Sequence, residues 1–464
     1  MDADGSCQCL SIFPGNVFTA RRLASRAPNI ATARRRIRSD ISTGPLDVKN
    51  LPDSQGDAAP VVTPATHGLG SIFVLALGTF AVGTDAFIMS AFLPAMADDL
   101  SVTPSMASQS VTAFALAYAL LAPIVTSLTA IMPRRKLLVL ALIFLGLANI
   151  GTALAPTLGI LIVIRIAAAA AAAAYTPSAG AVAAAIVHPH LRARALAVII
   201  GGLATATALG VPLGRIASTA LNWRASLALV GIVSFIAALG VFAAMPKLPG
   251  SVPVTLRRRL AVLARPGVMI VLPLTVIGMA ACYLPYAFTV QVLDSLLIPS
   301  TSIMLMLLCY GIGAVVGSCA SGWATDRLGP NAVLITVYSL MAGTLGGLAR
   351  LSDVPSASMY TGVAVLMACW GASSWSQTPA QQHRLIASAP QDAALAVAFN
   401  SSGIYLGISI GTAIGSHAIG IGTSTVLWYG CALALAALFY MLVTTALRST
   451  TSGSAEDTHK PMQP

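Results

Sequence analysis

The chain has 464 residues, of which 56% are hydrophobic and only 9% charged, and its mean hydropathy is +0.83. Ordinary soluble domains carry about 25% charged residues, so this composition excludes a water-soluble globular enzyme and indicates a polytopic helical membrane protein. The net charge of +11 does not indicate nucleic-acid binding, because the charges lie in short segments between apolar runs, where they report membrane topology.

Residues 1–66 differ from the rest of the chain because they contain no sustained apolar segment. They are rich in Pro, Ser, Asp and Arg and cannot bury a core, which predicts a disordered cytoplasmic tail. The tail lacks the apolar stretch of a secretory signal. Two of the seven Cys, Cys7 and Cys9, lie in it, and the other five lie in or beside apolar runs. This usage predicts no disulfide framework, no metal site and no cofactor.

From residue 69 onward, apolar runs alternate with short polar breaks, and each run is long enough to cross a membrane as a helix. We number these predicted spans 1 to 12, and they cover residues 69–96, 105–130, 136–154, 157–187, 193–220, 225–245, 267–292, 301–324, 331–349, 356–378, 392–419 and 424–447. The predicted fold is an all-α polytopic membrane protein with twelve transmembrane helices in two six-helix halves. The halves comprise residues 67–245 and 267–447, with a cytoplasmic linker at 246–266 and a C-terminal cytoplasmic tail at 448–464.

The distribution of Lys and Arg predicts the orientation. Sixteen of these residues lie between positions 67 and 447, and twelve of them are on the side of the even-to-odd loops. Three are on or near the other side, and Arg165 lies inside span 4. The bias predicts that both termini are cytoplasmic, and the even number of spans agrees with this.

Two local similarities between the halves indicate an internal duplication. The break after span 2 reads TSLTAIMPRRK (126–136) and the break after span 8 reads GWATDRLGPN (322–331); superposing Ala130 on Asp326 gives an offset of 196 residues. The sequences that open spans 5 and 11, starting at Arg194 and Ala393, share Ala-Leu-Ala-Val at an offset of 199 residues. Offsets near half the transmembrane length favour parallel six-plus-six repeats.

Several motifs, taken in order along residues 69–447, resemble the major facilitator superfamily. Within it they resemble the twelve-span drug–proton antiporter branch of bacterial arabinose-efflux-like and multidrug exporters. The motifs are Gly322-x-x-x-Asp326-Arg327-x-Gly329 after span 8, Arg165 in span 4, Gly202, Gly210, Pro212 and Gly214 in span 5 with the following Trp223-Arg224, and the segments 78–87 and 93–100 of span 1.

The resemblance implies that the protein is a secondary transporter and not an enzyme. Such a transporter works by alternating access and needs no cofactor. A monomer in the plasma membrane is expected, the bacterial inner membrane in particular. Its partners are the bilayer, a small-molecule substrate and protons, with no nucleic acid.

The resemblance also implies a gating role for Asp326, Arg327, Gly322 and Gly329 at the cytoplasmic end of spans 8 and 9. A solvated loop pair is the alternative. The first copy of this motif has lost its Gly and its Asp, which are replaced by Thr126 and Ala130, so a charge relay in the first half is left open.

The antiporter motif of span 5 has a partner pattern in span 11. Gly202, Gly210 and Gly214 correspond to Gly407, Gly411 and Gly415. Glycine at these spacings clears one helix face and allows close backbone approach. Two interpretations stay open: these faces form the interface on which the halves rock, or they pack helices with no special role.

For the substrate cavity, the resemblance implies a lining by spans 1, 4, 7 and 10. Polar and aromatic residues at suitable depth in these spans and in the adjoining spans 2 and 11 are Tyr118, Tyr283, Tyr286, Gln291, Trp370, Trp375, Gln377 and Asn400. As a group they predict a mostly apolar pocket with few polar anchors, which suits a small lipophilic or neutral solute. Each one alone is also compatible with a hydrogen-bonded packing residue.

Asp85 is the only carboxylate within a span of the first half, and a charge at its depth costs about 3 kcal/mol or more. Arg165 is the only cation deep in the membrane in that half. At about 1.5 Å per residue, Asp85 lies about 16 Å and Arg165 about 13 Å below the outer ends of their spans. If spans 1 and 4 are neighbours, as the resemblance implies, these depths predict that the two meet as a proton-coupling pair. The alternatives are a static structural ion pair and a carboxyl group bonded to Thr84.

The predicted function is therefore a proton-coupled exporter. A sugar or metabolite facilitator or symporter on the same fold stays open. An integral membrane transferase or hydrolase is a more distant alternative, because no H-E-x-x-H or G-x-S-x-G motif occurs. None of the four lysines follows a glycine, so the P-loop needed for direct ATP driving is absent from the sequence. A receptor that transports nothing is the last alternative.

Overall fold

The computed structural model describes residues 69–188, 191–250, 254–354 and 359–457. The predicted tail at 1–66 lies outside these residues. Over the described ranges the regular structure is helical, and eleven helices are long and apolar enough to cross a membrane. The predicted all-α polytopic membrane fold is confirmed.

The helices follow the predicted spans closely, but span 12 continues past its predicted end at 447 into part of the predicted C-terminal tail. Span 1 comprises Leu69–Phe87 and Met89–Asp99; the others are Pro104–Leu128, Arg134–Leu154, Leu158–Ala185, Arg192–Ala220, Trp223–Ala244, Pro266–Tyr286 with Thr289–Ser295, Ser300–Leu328, Pro330–Asp353, Tyr360–Ser388, Ala393–Ile419 and Thr423–Asp457. A short linker helix, Leu256–Ala261, precedes span 7. We call the end of the bundle that carries this helix the basic face, and the end that carries residues 100–103 and 296–299 the opposite face.

Span 10 is the long helix that is not among the eleven apolar ones, although it runs without interruption from Tyr360 to Ser388. Its second half contains polar side chains that are buried in the protein, namely Ser373, Ser374, Ser376, Gln377, Gln381 and Arg384. Polar groups within a membrane are tolerated where they face protein rather than lipid. The helix continues past the predicted end at 378 because these residues are accommodated by neighbouring spans.

Spans 1 and 7 are each broken at a corresponding position, although the sequence predicted a single span for each. Span 1 breaks between Phe87 and Met89, and the backbone of Phe92 is non-helical, with φ −134° and ψ 18°. Span 7 breaks between Tyr286 and Thr289. Prolines near the two breaks, at 94 and 285, remove backbone donors. The outer segments of the two spans contact each other and close the opposite face.

The same helix pairs pack in both halves. Span 1 packs on spans 5 and 6, span 2 on span 4, and span 3 on spans 4 and 6, and spans 7 to 12 repeat every one of these pairings. Between the halves, span 2 packs on span 11 and span 5 on span 8. This reciprocal arrangement is that of parallel six-helix repeats.

The glycine faces of spans 5 and 11 pack within their own halves. A Cβ atom on Gly202 would lie 2.4 Å from the carbonyl oxygen of Ala76 in span 1, and one on Gly411 would lie 2.5 Å from that of Ala280 in span 7. The other motif glycines face the same neighbours: Gly210 and Gly214 face span 1, and Gly407 and Gly415 face span 7. The interpretation that these faces form the rocking interface between the halves is therefore wrong. They bring backbones close inside each half.

A different part of span 5 faces the second half. The turn Ala206–Gly210 is π-helical and precedes Pro212. Proline has no N–H for the carbonyl of Ala208 and its ring clashes with that carbonyl, which accounts for the wider turn. A Cβ atom on Gly311 of span 8 would lie 2.3 Å from the Cα atom of Ala208. Spans 5 and 8 therefore meet backbone against backbone.

The close approach of spans 7 and 11 gives a stability test. Replacing Gly411 by Ala should overpack the contact with Ala280 and cost about 1–3 kcal/mol. The matched control is Gly343→Ala in span 9, where a Cβ atom meets nothing within 4 Å. Both changes gain the same helix propensity, so only Gly411→Ala should lower the melting temperature of the purified protein. Equal melting temperatures for the two variants would contradict the packing described here.

Candidate functional site

Asp85 and Arg165 form a fully buried ion pair between spans 1 and 4. Nη1 of Arg165 lies 2.5 Å from Oδ1 of Asp85, and both side chains have 0% solvent exposure. Nη2 of Arg165 donates to the backbone carbonyl of Asp85 at 3.1 Å, close to the break in span 1. The predicted meeting of these two residues is confirmed, and their role in proton coupling stays a prediction.

The surroundings of the pair hold the guanidinium in place. The ring of Phe114 in span 2 lies 4.2 Å below the Cζ atom of Arg165. Asn149 of span 3 is fully buried beside Asp85. Oγ1 of Thr84 has no hydrogen-bond partner among the described residues, so the alternative bond from Thr84 to the carboxyl group is not present. The pair is therefore enclosed by three spans besides the one that carries Asp85.

Tyr405 of span 11 connects this site to the second half. Its ring stacks on Tyr118 with centroids 3.7 Å apart and contacts Phe114 edge-on at 6.2 Å. It also lies within electrostatic reach of both Asp85 and Arg165. Sequence reasoning selected Tyr118 but missed Tyr405, because a helical pattern does not reveal which face of span 11 meets span 2.

Six aromatic side chains form a second buried group, which we call the aromatic cluster. Its members are Phe87, Tyr283, Tyr286, Tyr310, Trp370 and Trp375. Phe87, two residues after Asp85, joins the halves because its ring lies 5.7 Å from that of Tyr283 and 5.8 Å from that of Trp375. Four predicted cavity residues thus come together, and Phe87 and Tyr310 were missed.

The aromatic cluster contains buried donors that lack partners. The hydroxyl of Tyr310 and the indole N–H groups of Trp370 and Trp375 form no hydrogen bond within the described ranges. An unpaired buried donor costs about 1–3 kcal/mol, so these three donors favour a solute that brings acceptor atoms. Gln291, which is not a member of the cluster, has both its amide donor and its amide acceptor without a partner among the described residues.

Two other predicted cavity residues serve helix packing instead. The hydroxyl of Tyr338 donates to Oε1 of Gln377 at 3.2 Å, which ties span 10 to span 9. The hydroxyl of Thr275 donates to Oδ1 of Asn400 at 2.9 Å, which ties span 11 to span 7. Their fixed partners leave little hydrogen-bonding capacity for a solute, except at the amide nitrogen of Asn400, which has no partner in the described part of the chain.

The predicted gating motif belongs mostly to a helix. Span 8 continues to Leu328, past the predicted end at 324, and only Gly329, with φ +82°, forms the turn into span 9. Asp326 and Arg327 are exposed on the last helical turns, and the guanidinium of Arg327 lies 4.5 Å from the ring of Trp323. The helix extends beyond the apolar segment because backbone hydrogen bonds continue through its polar last turns.

The gating residues have few contacts in this conformation. Asp326 forms no ion pair or side-chain hydrogen bond with any described residue. A Cβ atom on Gly322 would meet nothing within 4 Å. The gating role of this motif stays a prediction.

The opposite face is held closed by polar contacts. Arg224 bonds Asp99 at 2.8 Å and also donates to the carbonyls of Ala153 and Ala155, so it joins spans 1, 3 and 6. Between the halves, the hydroxyls of Ser105 and Ser416 lie 2.7 Å apart. Over the described residues, no group of three or more His, Cys, Asp or Glu side chains could hold a metal ion.

Comparison with known proteins agrees with this architecture. A family model described as Major Facilitator Superfamily matches residues 75–293 and 260–464. The chain is 30% identical over 366 residues to the uncharacterized MFS-type transporter YbcL of Bacillus subtilis (strain 168), covering 77% of this chain and 91% of that protein. It is 29% identical over 387 residues to a chloramphenicol resistance protein of Streptomyces lividans, covering 81% and 97%. The solved structure of the nucleoside transporter NupG is similar with a TM-score of 0.65 at 12% identity, covering 81% and 99%, which shows the fold alone.

The buried pair gives a second stability test. Arg165→Met leaves the carboxyl group of Asp85 buried without its cation, which should cost about 3–5 kcal/mol at neutral pH. The double variant Asp85→Asn/Arg165→Met removes both charges and should recover most of this loss. The stability of the single variant should also rise as the pH falls, because protonation removes the unpaired charge. Thermal unfolding of the purified variants, repeated at several pH values for Arg165→Met, measures these three expected changes in stability.

The control for this test is Arg258→Met, which removes an exposed charge from the linker helix and should change the melting temperature little. If the double variant were no more stable than Arg165→Met, the ion pair would not be what Arg165 contributes.

Proposed function

Since this chain belongs to the major facilitator superfamily, and is therefore a multi-pass membrane transporter rather than an enzyme, we propose that it is a proton-coupled exporter of small lipophilic or neutral solutes. It works by alternating access in the bacterial inner membrane, with both termini in the cytoplasm. The observation that carries the proposal is the buried pair of Asp85 and Arg165 beside the interface of the two halves.

Proton coupling requires a group that is charged in one state and neutral in another. Burial disfavours the carboxylate of Asp85, whereas contact with Arg165 favours it. A small change in the distance between them therefore decides whether Asp85 holds a proton. Rocking of the halves supplies that change, because Tyr405 of the second half packs against Phe114, which supports the guanidinium.

The aromatic cluster is the proposed substrate site. It lies where the halves meet, and its buried side chains are apolar apart from a few unpaired donors. Side chains of this kind suit an apolar solute with one or two acceptor oxygens once the halves move apart. The similarity to a chloramphenicol resistance protein supports export as the direction and this class of solute.

A sugar or metabolite carrier on the same fold is less well supported by the site. Recognition of hydroxyl-rich solutes needs several free polar side chains, and Gln377 and Asn400 are largely engaged in packing. We therefore retain the exporter as the proposed function.

The proton site is tested with Asp85→Asn. In inverted vesicles that carry an imposed pH gradient, this variant should lose uphill transport of chloramphenicol, because the amide cannot take up a proton. It should still bind chloramphenicol, whereas Arg165→Ala should impair both transport and binding. Asp98→Asn, at an exposed carboxylate of the opposite face, is the matched control and should transport normally. Uphill transport by Asp85→Asn would place the proton site elsewhere.

The gating motif is tested with Asp326→Ala. We expect slower transport of chloramphenicol with unchanged protein level and membrane insertion, because Asp326 lies at the basic-face end of span 8, where the halves must open and close. Asp98→Ala serves as the control for loss of an exposed carboxylate. Transport at the wild-type rate in reconstituted vesicles would show that Asp326 belongs to a solvated helix end with no gating role.

A further inference from the structure

A cavity lies on the basic face between spans 3 and 6, away from the buried ion pair. Its volume is about 900 Å³. We call it the basic pocket, and the lining residues that matter here are Arg135, Lys136, Lys247, Val139, Leu140 and Phe242. The three cations come from the start of span 3 and the start of the linker, and the apolar residues lie deeper along spans 3 and 6.

The positive charge of the basic pocket has no carboxylate partner among the described residues. The guanidinium of Arg135 lies 4.5 Å from the ring of Phe242, whose side chain is 57% exposed. The backbone N–H of Arg134 donates to the carbonyl of Leu248 at 3.0 Å, which holds the segment with Lys247 against span 3. The three cations are therefore gathered at one place.

An apolar groove adjoins the basic pocket on the other side of span 3. It has a volume of about 360 Å³ and is lined by span 3 and by the alanine run at 167–174 of span 4. Leu140 lines both cavities. Alanine side chains are too short to fill the space beside Phe144, whose side chain is 61% exposed. We call this feature the alanine groove.

The basic pocket and the alanine groove match the two parts of a phospholipid, its charged headgroup and its acyl chain. Leu140 lies about 6 Å deeper than Lys136 along the helix, so positive charge at the membrane surface gives way to an apolar groove below it. Basic pockets between transmembrane helices on the cytoplasmic side suit anionic headgroups, and cations bind phosphate oxygens strongly.

We propose that the basic pocket binds the headgroup of an anionic phospholipid, of the phosphatidylglycerol class, and that one of its acyl chains lies in the alanine groove. Charge complementarity selects an anionic lipid, since a zwitterionic headgroup brings a cation of its own. The exposed apolar groove selects a lipid over a soluble phosphate, which would leave that surface uncovered. The site is independent of the substrate and proton sites.

The test titrates the purified full-length protein in detergent with phosphatidylglycerol and counts bound lipid by native mass spectrometry. Phosphatidylcholine with the same acyl chains and inorganic phosphate are the comparison ligands. We expect preferential retention of phosphatidylglycerol, and binding about tenfold weaker or more in Lys136→Gln/Lys247→Gln. The matched control is Arg257→Gln/Arg258→Gln, which removes two exposed charges from the linker helix on the same face and should leave binding unchanged.

Further variants separate charge from folding and headgroup from chain. Lys136→Arg/Lys247→Arg keeps the charge and should keep the lipid. Ala170→Leu fills the alanine groove and should weaken binding of phosphatidylglycerol. The proposal is overturned if the glutamine variant binds like the wild type, if both lipids bind equally, or if millimolar inorganic phosphate displaces phosphatidylglycerol. Unchanged binding by Ala170→Leu would overturn the placement of the acyl chain.

Discussion

The centre of a membrane offers no water to a charge, so a carboxylate there needs a cation, a proton or both in turn. Asp85 and Arg165 satisfy this constraint together, and much of the first half is organised around them. Because span 1 breaks after Phe87, the backbone carbonyl of Asp85 can accept a second hydrogen bond from Arg165. The glycine face of span 5 allows span 1 to lie close enough to its neighbours to enclose the pair.

The two halves share a framework and divide the chemistry. Both contain the same helix pairings, the same break in their first span and the same glycine contacts. The first half carries the buried ion pair, whereas the second half carries five of the six rings of the aromatic cluster. Tyr405 and Phe87 reach across the interface in opposite directions, so each half has a ring in the site of the other.

The sequence was informative wherever one helix alone decides the outcome. Apolar length predicted the spans. The matching depths of Asp85 and Arg165 predicted that the two meet only together with the family resemblance, which makes spans 1 and 4 neighbours. Without such a guide to neighbouring helices, the sequence failed where two helices decide together. The glycines of spans 5 and 11 indicated helix faces without side chains, but not which neighbouring helix packs on them. For the same reason the sequence did not indicate that Tyr405 of span 11 belongs to the site. Pro285 within span 7 indicated a kink, but the break in span 1 was not predicted, because membrane helices often accommodate proline without breaking.

The polar second half of span 10 has a consequence for how the protein enters the membrane during synthesis. A helix with buried Gln377, Gln381 and Arg384 partitions poorly into lipid by itself. It packs tightly on span 8, where a Cβ atom on Gly371 would clash with the backbone carbonyl of Tyr310. Span 10 therefore depends on the earlier spans of its half for stable insertion. A substitution in span 8 that disturbs this packing would first reduce the amount of correctly inserted protein.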